Sequence, residues 1–493
     1  MLSQNTTQQG AQENFEKEFA KLTFCGGVSS VTGANFLLEV HKKQGVKKML
    51  IDCGMEQGSD KAKVYNASPF IFDPKEIDIL LVTHAHMDHI GLIPKLVKHG
   101  FNGVIYSTPE THDLSMYMLE DALKLITQEA KHHNVDPLYD PEDTRRAFEL
   151  WKTIPYHKDF ILFDLDEHSQ ATKKPITKDS VVSVYLKDPG HVLGASMFEI
   201  RINLNQKLRK FLFTGDLGNT PNPLLKDTES IEGVDYVVME SVYGDRNHED
   251  KATRLQKLQA NIEDIIGRQG VLLIPSFSLE KTQEILSEMN TLFEDKIIPE
   301  IPVYLDSPLA SKLIPIYKKY PEDFNAEVKK RRKKGDDILN FKNLHIVGSA
   351  EESKAILHSK NPKIIMAGSG MSTGGRIQHH ELAHLSAHNT ILLFLGFQAL
   401  GTLGREIYDG AKTVNIYEHE IKVNAEIRKI DGYSGHKDSD RLQEFAATAG
   451  ETLKKVFVTM GETKSALFLV QRLRDYYDID AVHPEQGESV ILD

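Results

Sequence analysis

The amino-acid sequence predicts a mixed α/β protein in which an α/β module is inserted into a first domain. Three observations predict it. Short apolar runs broken by Gly-rich turns fill the first half, a helix–strand rhythm takes over near Gly244, and the strand-and-turn pattern returns near Ile421. At 493 residues the chain is also too long for one simple core, which fits two domains or more.

Residues 1–17 are polar and aperiodic and read as a flexible N-terminal arm. Strands are expected at Leu22–Cys25, Asn35–Val40 and Lys48–Ile51, the last running into Asp52-Cys53-Gly54. Ile77–Thr83 is a further apolar strand. Gly91–His99 reads as a short helix with Leu92, Leu96 and Val97 on its apolar face, and Pro109–His133 and Pro141–Thr153 read as longer helices. After the polar stretch Glu167–Lys178, strands return at Val181–Leu186, Ala195–Ile200 and Lys210–Thr214. Between residues 245 and 420, helices such as Lys251–Arg268, Leu279–Leu292, Ser311–Lys319 and Gly375–His384 alternate with strands such as Val271–Pro275, Pro302–Leu305, Lys363–Met366 and Thr390–Leu395. That rhythm marks βαβ units on a parallel sheet. Residues 421–493, with a strand pattern at Ile421–Ile430 and a closing pair Ala466–Tyr477 and Ser489–Leu492, are assigned back to the first domain.

Hydrophobic residues at 40% and charged residues at 26% describe an ordinary globular chain, and no stretch approaches the ~20 apolar residues of a membrane span. The polar start Met1-Leu2-Ser3-Gln4-Asn5 has no signal-peptide core, and two cysteines, Cys25 and Cys53, make no disulfide framework. A reducing cytoplasm is the expected location. A formal charge of −12 is the wrong sign for a protein that coats nucleic acid, but a nucleic-acid enzyme needs only a local basic groove. Lys329-Lys330-Arg331-Arg332-Lys333-Lys334 is a candidate; such a run also suits a solvated helix end.

The chemistry concentrates in His84-Ala85-His86-Met87-Asp88-His89, directly after the apolar run Ile79–Thr83. Imidazole and carboxylate suit Zn²⁺, and four such side chains within six positions at a strand end let one loop surround one or two ions. Two more strand ends add Pro189-Gly190-His191 and Thr214-Gly215-Asp216, each with a Gly that lets the backbone turn sharply beside the ligand. This gives His84, His86 and His191 for one metal, Asp88 and His89 for a second, and Asp216 as a bridge. Asp52, after its own strand, reads as an acceptor that orients a ligand His.

This ordered set resembles the metallo-β-lactamase fold and, within it, the β-CASP nucleases, nearly end to end from about residue 20 onward. The resemblance implies an αββα sandwich formed by 18–244 and 421–493, with the β-CASP domain at 245–420. Glu240 in Met239-Glu240-Ser241-Val242-Tyr243-Gly244-Asp245-Arg246 matches the family's first extra motif, and His436 in Tyr433-Ser434-Gly435-His436 matches the second. Gly368-Ser369-Gly370-Met371 through Gly374-Gly375-Arg376 is similar to the stretch bordering substrate phosphates in bacterial and archaeal RNA-processing members of the cleavage-and-polyadenylation-specificity-factor type. The third motif departs. Where RNA-processing members usually carry a His ligand of the second metal, this chain reads Val458-Thr459-Met460-Gly461-Glu462, and a thioether is a poor Zn²⁺ ligand. DNA-processing relatives lack this His too. His483 is the alternative donor.

The resemblance therefore implies a zinc-dependent ribonuclease with up to two ions, the second weaker for want of a His at Met460. Asp88, Glu240 and His436 are expected to be catalytic, and Ser369, Gly370, Arg376 and Arg405 to contact substrate phosphates. Hydrolysis would leave 5′-phosphate and 3′-hydroxyl ends on an RNA substrate, in endonucleolytic or 5′→3′ exonucleolytic mode. The alternatives are a DNA nuclease of the same family acting on single-stranded DNA, or a non-catalytic subunit of an RNA-processing complex. A homodimer is also left open.

Overall fold

The computed structural model describes residues 17–43, 45–58, 60–164, 181–249, 253–396, 398–399 and 401–493. The N-terminal arm, apart from Lys17, and the polar stretch Glu167–Lys178 lie outside the described residues.

Two seven-stranded sheets lie face to face. In the first, the order is Ser489–Leu492, Phe19–Gly26, Asn35–Lys42, Gly45–Ile51, Ile79–Leu81, Val104–Ser107 and Trp151–Thr153; in the second it is Ala481–Val482, Lys455–Val458, Tyr236–Met239, Lys207–Phe213, Met197–Leu204, Val181–Lys187 and Phe160–Asp164. Strand periodicity decides which side chains meet. Leu22, Leu38, Met49 and Ile79 from the first sheet share a buried core with Val184, Ile200, Phe211, Val238 and Phe457 from the second. Their neighbours point the other way. Leu50, Leu80 and Ile105 pack under Leu96, Val97 and Leu114 of helices Ile93–Lys98 and Pro109–His133. Leu212, Val237 and Val456 pack under Leu442 and Leu469 of helices Ser439–Ala447 and Thr463–Tyr477. The result is an αββα sandwich.

The C-terminal residues complete both sheets: Ser489–Leu492 pairs with Phe19–Gly26, and Lys455–Val458 pairs with Tyr236–Met239. Between them lies a third sheet, six strands and all parallel, in the order Leu344–Ile346, Val303–Asp306, Lys363–Ala367, Val271–Pro275, Thr390–Phe394 and Glu426–Lys429. Leu272 and Ile274 face the core continuous with the sandwich, whereas Val271 and Leu273 face a separate one. No helix among the described residues is long and apolar enough to cross a membrane.

One sequence expectation needs correction. Helix Pro141–Thr153 stops at Glu149, and Trp151–Thr153 is a strand parallel to Val104–Ser107. Trp151 is held there by burial and by its indole N–H donating to Ser107 Oγ at 2.8 Å, so tertiary pairing overrides the helical pattern. Beyond the expected boundary at 420, one strand still joins the insert's sheet. Glu426–Lys429 pairs with Thr390–Phe394, so the insert's sheet runs to Lys429. By contrast, Pro109–His133 has the bounds expected: Thr108 caps it by accepting from the Thr111 N–H, and Asn134 closes it with φ +53°.

The His84–His89 loop is stitched to Asp52–Met55 by backbone bonds: Cys53 N–H to His89 O at 2.8 Å, Met55 N–H to Met87 O at 3.1 Å, and Leu92 N–H to Cys53 O at 2.9 Å. A Cβ on Gly54 would sit 1.6 Å from the Asp88 carbonyl oxygen. Gly54→Ala is therefore expected to push the two loops apart, at a cost of about 1–3 kcal/mol. Thermal denaturation should show a lower Tm, and elemental analysis a reduced metal content.

Candidate metal centre

Each donor stands just beyond the C-terminal end of a sandwich strand. Asp52 follows Gly45–Ile51, His84–His89 follows Ile79–Leu81, His191 follows Val181–Lys187, Asp216 follows Lys207–Phe213 and Glu240 follows Tyr236–Met239. The turn before Asp216 needs Gly215, whose φ is +54° and where a Cβ would lie 2.7 Å from that of Thr83.

His84 Nε2 lies 3.1 Å from His86 Nδ1, and His191 Nε2 lies 3.2 Å from the same atom. Asp216 Oδ2 completes the group at 3.5 Å from His84 Nε2 and 3.4 Å from His191 Nε2. The other oxygen, Asp216 Oδ1, lies 3.4 Å from His89 Nε2, and Asp88 Oδ2 is 3.9 Å from that nitrogen. The structure thus forms the two expected donor groups, His84/His86/His191/Asp216 and Asp88/His89/Asp216, with the Asp216 carboxylate between them.

The ring nitrogens that face away are tied down. His89 Nδ1–H donates to Asp52 Oδ2 at 2.7 Å, His84 Nδ1 is 3.1 Å from Thr83 Oγ1, and His191 Nδ1–H donates to the Gly435 carbonyl at 3.1 Å. Asp52 also accepts the Thr83 N–H and hydroxyl, both at 2.8 Å. Such partners fix the tautomer and aim the second nitrogen inward. Thr83 and Gly435 escaped the sequence reading as site residues; Thr83 is signalled only by adjacency to His84, and the backbone carbonyl of Gly435 carries no signal.

The electrostatics fit a cation. Burial holds His84, His86 and His191 below the usual imidazole range, leaving them neutral with free lone pairs. Burial alone would lower His89 as well, but Asp216 and Asp52 outweigh it and hold it well above that range. His89 Nε2 is buried and has no hydrogen-bond partner. The carboxylates that favour a proton there favour a metal ion equally.

Glu240 and His436 form a third group with Asp216. His436 Nδ1–H donates to Glu240 Oε1 at 3.1 Å and is 4.0 Å from Asp216 Oδ2. Glu240 is fully buried and accepts the Leu217 N–H at 2.5 Å. Burial would depress His436, but Glu240 and Asp216 together raise it to about 9.

The remaining expectations fare differently. Arg376 binds Asp306 and the Val347 carbonyl inside the insert, and Asp306 also binds His380 at 2.7 Å. Arg405 binds Asp409 at 2.8 Å along its own helix. Each guanidinium thus has internal partners, Arg376 through Nη1 and Arg405 through Nε and Nη1. Gly370 is buried, and its carbonyl accepts from Gln398 at 3.0 Å; Ser369 is half-buried, its hydroxyl 3.0 Å from that of Thr373. Neither joins the metal cluster. Met460 has φ +47° and packs in the apolar core between the sheets. His483 Nδ1 faces the Val458 carbonyl at 2.9 Å and joins none of the donor groups among the described residues, so it does not replace the missing ligand. In the basic run, Arg331 turns inward to Asp336 at 2.9 Å, while Lys329, Lys330, Lys333 and Lys334 line a surface concavity of about 460 Å³.

An αββα sandwich carrying this donor set at its strand ends defines a metal-dependent hydrolase. The chain belongs to the metallo-β-lactamase superfamily, in its β-CASP branch: the description "Metallo-beta-lactamase superfamily" matches residues 36–276, "Beta-Casp domain" 282–407, and "Zn-dependent metallo-hydrolase RNA specificity domain" 420–484. Ribonuclease TTHA0252 of Thermus thermophilus is 33% identical over 444 residues, 90% of this chain and 94% of the relative. Transcription termination factor FttA of Methanosarcina mazei is 28% identical over 467 residues (92% and 68%), and that of Pyrococcus horikoshii 27% over 499 (97% and 72%). The family binds divalent metal, and the His/Asp groups described above are the candidate site.

Replacing His86, which touches both other histidines, with Ala is expected to empty the His-rich group and abolish activity, read as metal per chain by elemental analysis. Imidazole binds Zn²⁺ at about 2.0–2.1 Å, so Met460→His, if its ring reaches the Asp88/His89 group, should raise zinc content towards two ions. Unchanged occupancy would mean that position 460 stands away from the metals.

Proposed function

We propose that this protein is a zinc-dependent ribonuclease of RNA processing or decay, hydrolysing phosphodiester bonds to 5′-phosphate and 3′-hydroxyl ends. The observation that carries the reading is the Glu240–His436 pair set against Asp216. The match to an RNA specificity domain and the name ribonuclease on the Thermus relative support RNA as the polymer.

The residues divide the work as follows. His84, His86 and His191 would hold one zinc ion, Asp88 and His89 the other, and Asp216 would join them. When bound, zinc supplies Lewis acidity at the phosphoryl oxygens and a nucleophile from water near neutral pH. With Nδ1 on Glu240, His436 keeps its other proton on Nε2, where it can pass to the leaving 3′ oxygen. Glu240 holds that imidazole charged and oriented. The lysines at 329, 330, 333 and 334 offer point charges to the RNA backbone, and the loop at Ser369 and Gly370 is the further candidate phosphate contact. The His84/His86/His191/Asp216 group and the Glu240–His436 pair argue against a non-catalytic subunit. Two free, buried thiols, Cys25 and Cys53, support a cytoplasmic location.

Matched labelled RNA and DNA oligonucleotides, incubated with zinc-loaded protein and mapped at their product ends, test the reading. RNA cleaved to 5′-phosphate ends is expected; DNA cleavage alone would overturn it. Glu240→Gln and His436→Ala are each expected to slow cleavage by about 10²–10⁴ with metal content unchanged, and the double variant to be little worse than the slower single one. A general acid must be protonated to act, so the rate should fall as pH rises through the His436 value. In Glu240→Gln, which removes the neighbouring charge, that fall should begin at lower pH.

A further inference from the structure

Away from the zinc-type ligands, a second group of acids meets at the seam between the insert and the sandwich. Glu110 stands in the first turn of helix Pro109–His133, and Glu322 and Asp323 stand in the short turn Pro321–Asp323 of the insert. One carboxylate oxygen from each lies within 4.8 Å of the other two. Glu110 and Asp323 are each only 6% exposed, and Glu110 Oε2 and Asp323 Oδ2 are buried with no hydrogen-bond partner. The ion pair that reaches the group is Lys226, 3.5 Å from the other Asp323 oxygen. Lys226, with Lys329 acting from further off, leaves three carboxylates short of positive charge. Burial pushes Glu110 up to about 7 and raises Asp323 as well.

We propose that Glu110, Glu322 and Asp323 form a binding site for a hard divalent cation, Mg²⁺ or Ca²⁺, that ties the insert to the sandwich. The donor set is all oxygen, with no imidazole or thiolate, which selects such ions over zinc. Glu110 and Asp323 come from different parts of the fold and each carries a carboxylate oxygen without a partner, so an ion held between the two carboxylates would link them. Glu322 is exposed, which leaves an entry path and room for water ligands. The location gives the ion a role. The Glu110 stem packs against Gly194, where a Cβ would fall 2.4 Å from that of Glu110, and Gly194 lies in the loop that carries His191. A cation here would pin that loop to the insert from behind the metal centre.

The competing account is a proton shared within the group, and it predicts the opposite. The test uses the zinc-loaded full chain, freed of alkaline-earth ions and titrated separately with CaCl₂ and MgCl₂ by calorimetry and thermal unfolding, without RNA. Its result therefore stands whichever polymer the enzyme cuts. One ion per chain is expected, with a rise in Tm. Glu110→Gln and Asp323→Asn should abolish the rise with zinc content unchanged. Glu322→Gln, on the surface and safe for folding, should weaken binding by about tenfold or more, since even outer changes at metal sites cost that much. The proposal is overturned if neither ion binds at about 10⁻³ M, the weak end for carboxylate calcium sites. It is equally overturned if the variants respond to the ions as the parent does, or if Glu110→Gln merely stabilises the chain and ion binding persists.

Discussion

The carboxylate of Asp216 is the point on which the centre turns. One oxygen faces His84 and His191, the other faces His89, and the same side chain is 4.0 Å from His436. Buried at this depth, a carboxylate is tolerable only where positive charge or donors surround it. His89 and His436 supply that charge and hold Asp216 well below the usual range despite its burial. The sandwich exists to bring these groups together: five strand ends from two sheets converge, and the pleat fixes which residue of each points inward.

The insert is more than an appendage. Its helix Lys281–Glu294 and one face of its parallel sheet share an apolar core with the helices covering the first sheet. Tyr433 anchors the loop before His436 by burying its ring and donating its hydroxyl to Glu288 of the insert, beside the Arg254–Glu288 pair at 2.8 Å. The Glu280 carboxylate lies against Gly435, so the loop that presents His436 is held from the insert's side. Orientation of His436 thus depends on packing between the two parts of the chain.

The candidate metal ligands were legible because each is a polar residue at the end of an apolar run, where neither core burial nor turn chemistry explains it. Glu240 and His436 needed the family resemblance, since a lone acid and a lone His carry no spacing signal. Less legible were contacts set by tertiary choice. Arg376 stands beside a Gly-rich turn, and nothing in the sequence shows that it pairs with Asp306, 70 residues away in the chain. Trp151 continues a helical pattern yet pairs with Val104–Ser107. The carbonyl of Gly435 that orients His191 leaves no mark in sequence at all. The meeting of Glu110 with Asp323 across the seam is invisible for the same reason.

The strand Lys455–Val458 sits inside the second sheet, between Tyr236–Met239 and Ala481–Val482, while Ser489–Leu492 closes the edge of the first beside Phe19–Gly26. Pairings across more than 200 residues form late, because loop closure must precede them. A substitution that loosens Lys455–Val458 would thus disturb the strand end that carries Glu240, more than 200 positions earlier in the chain.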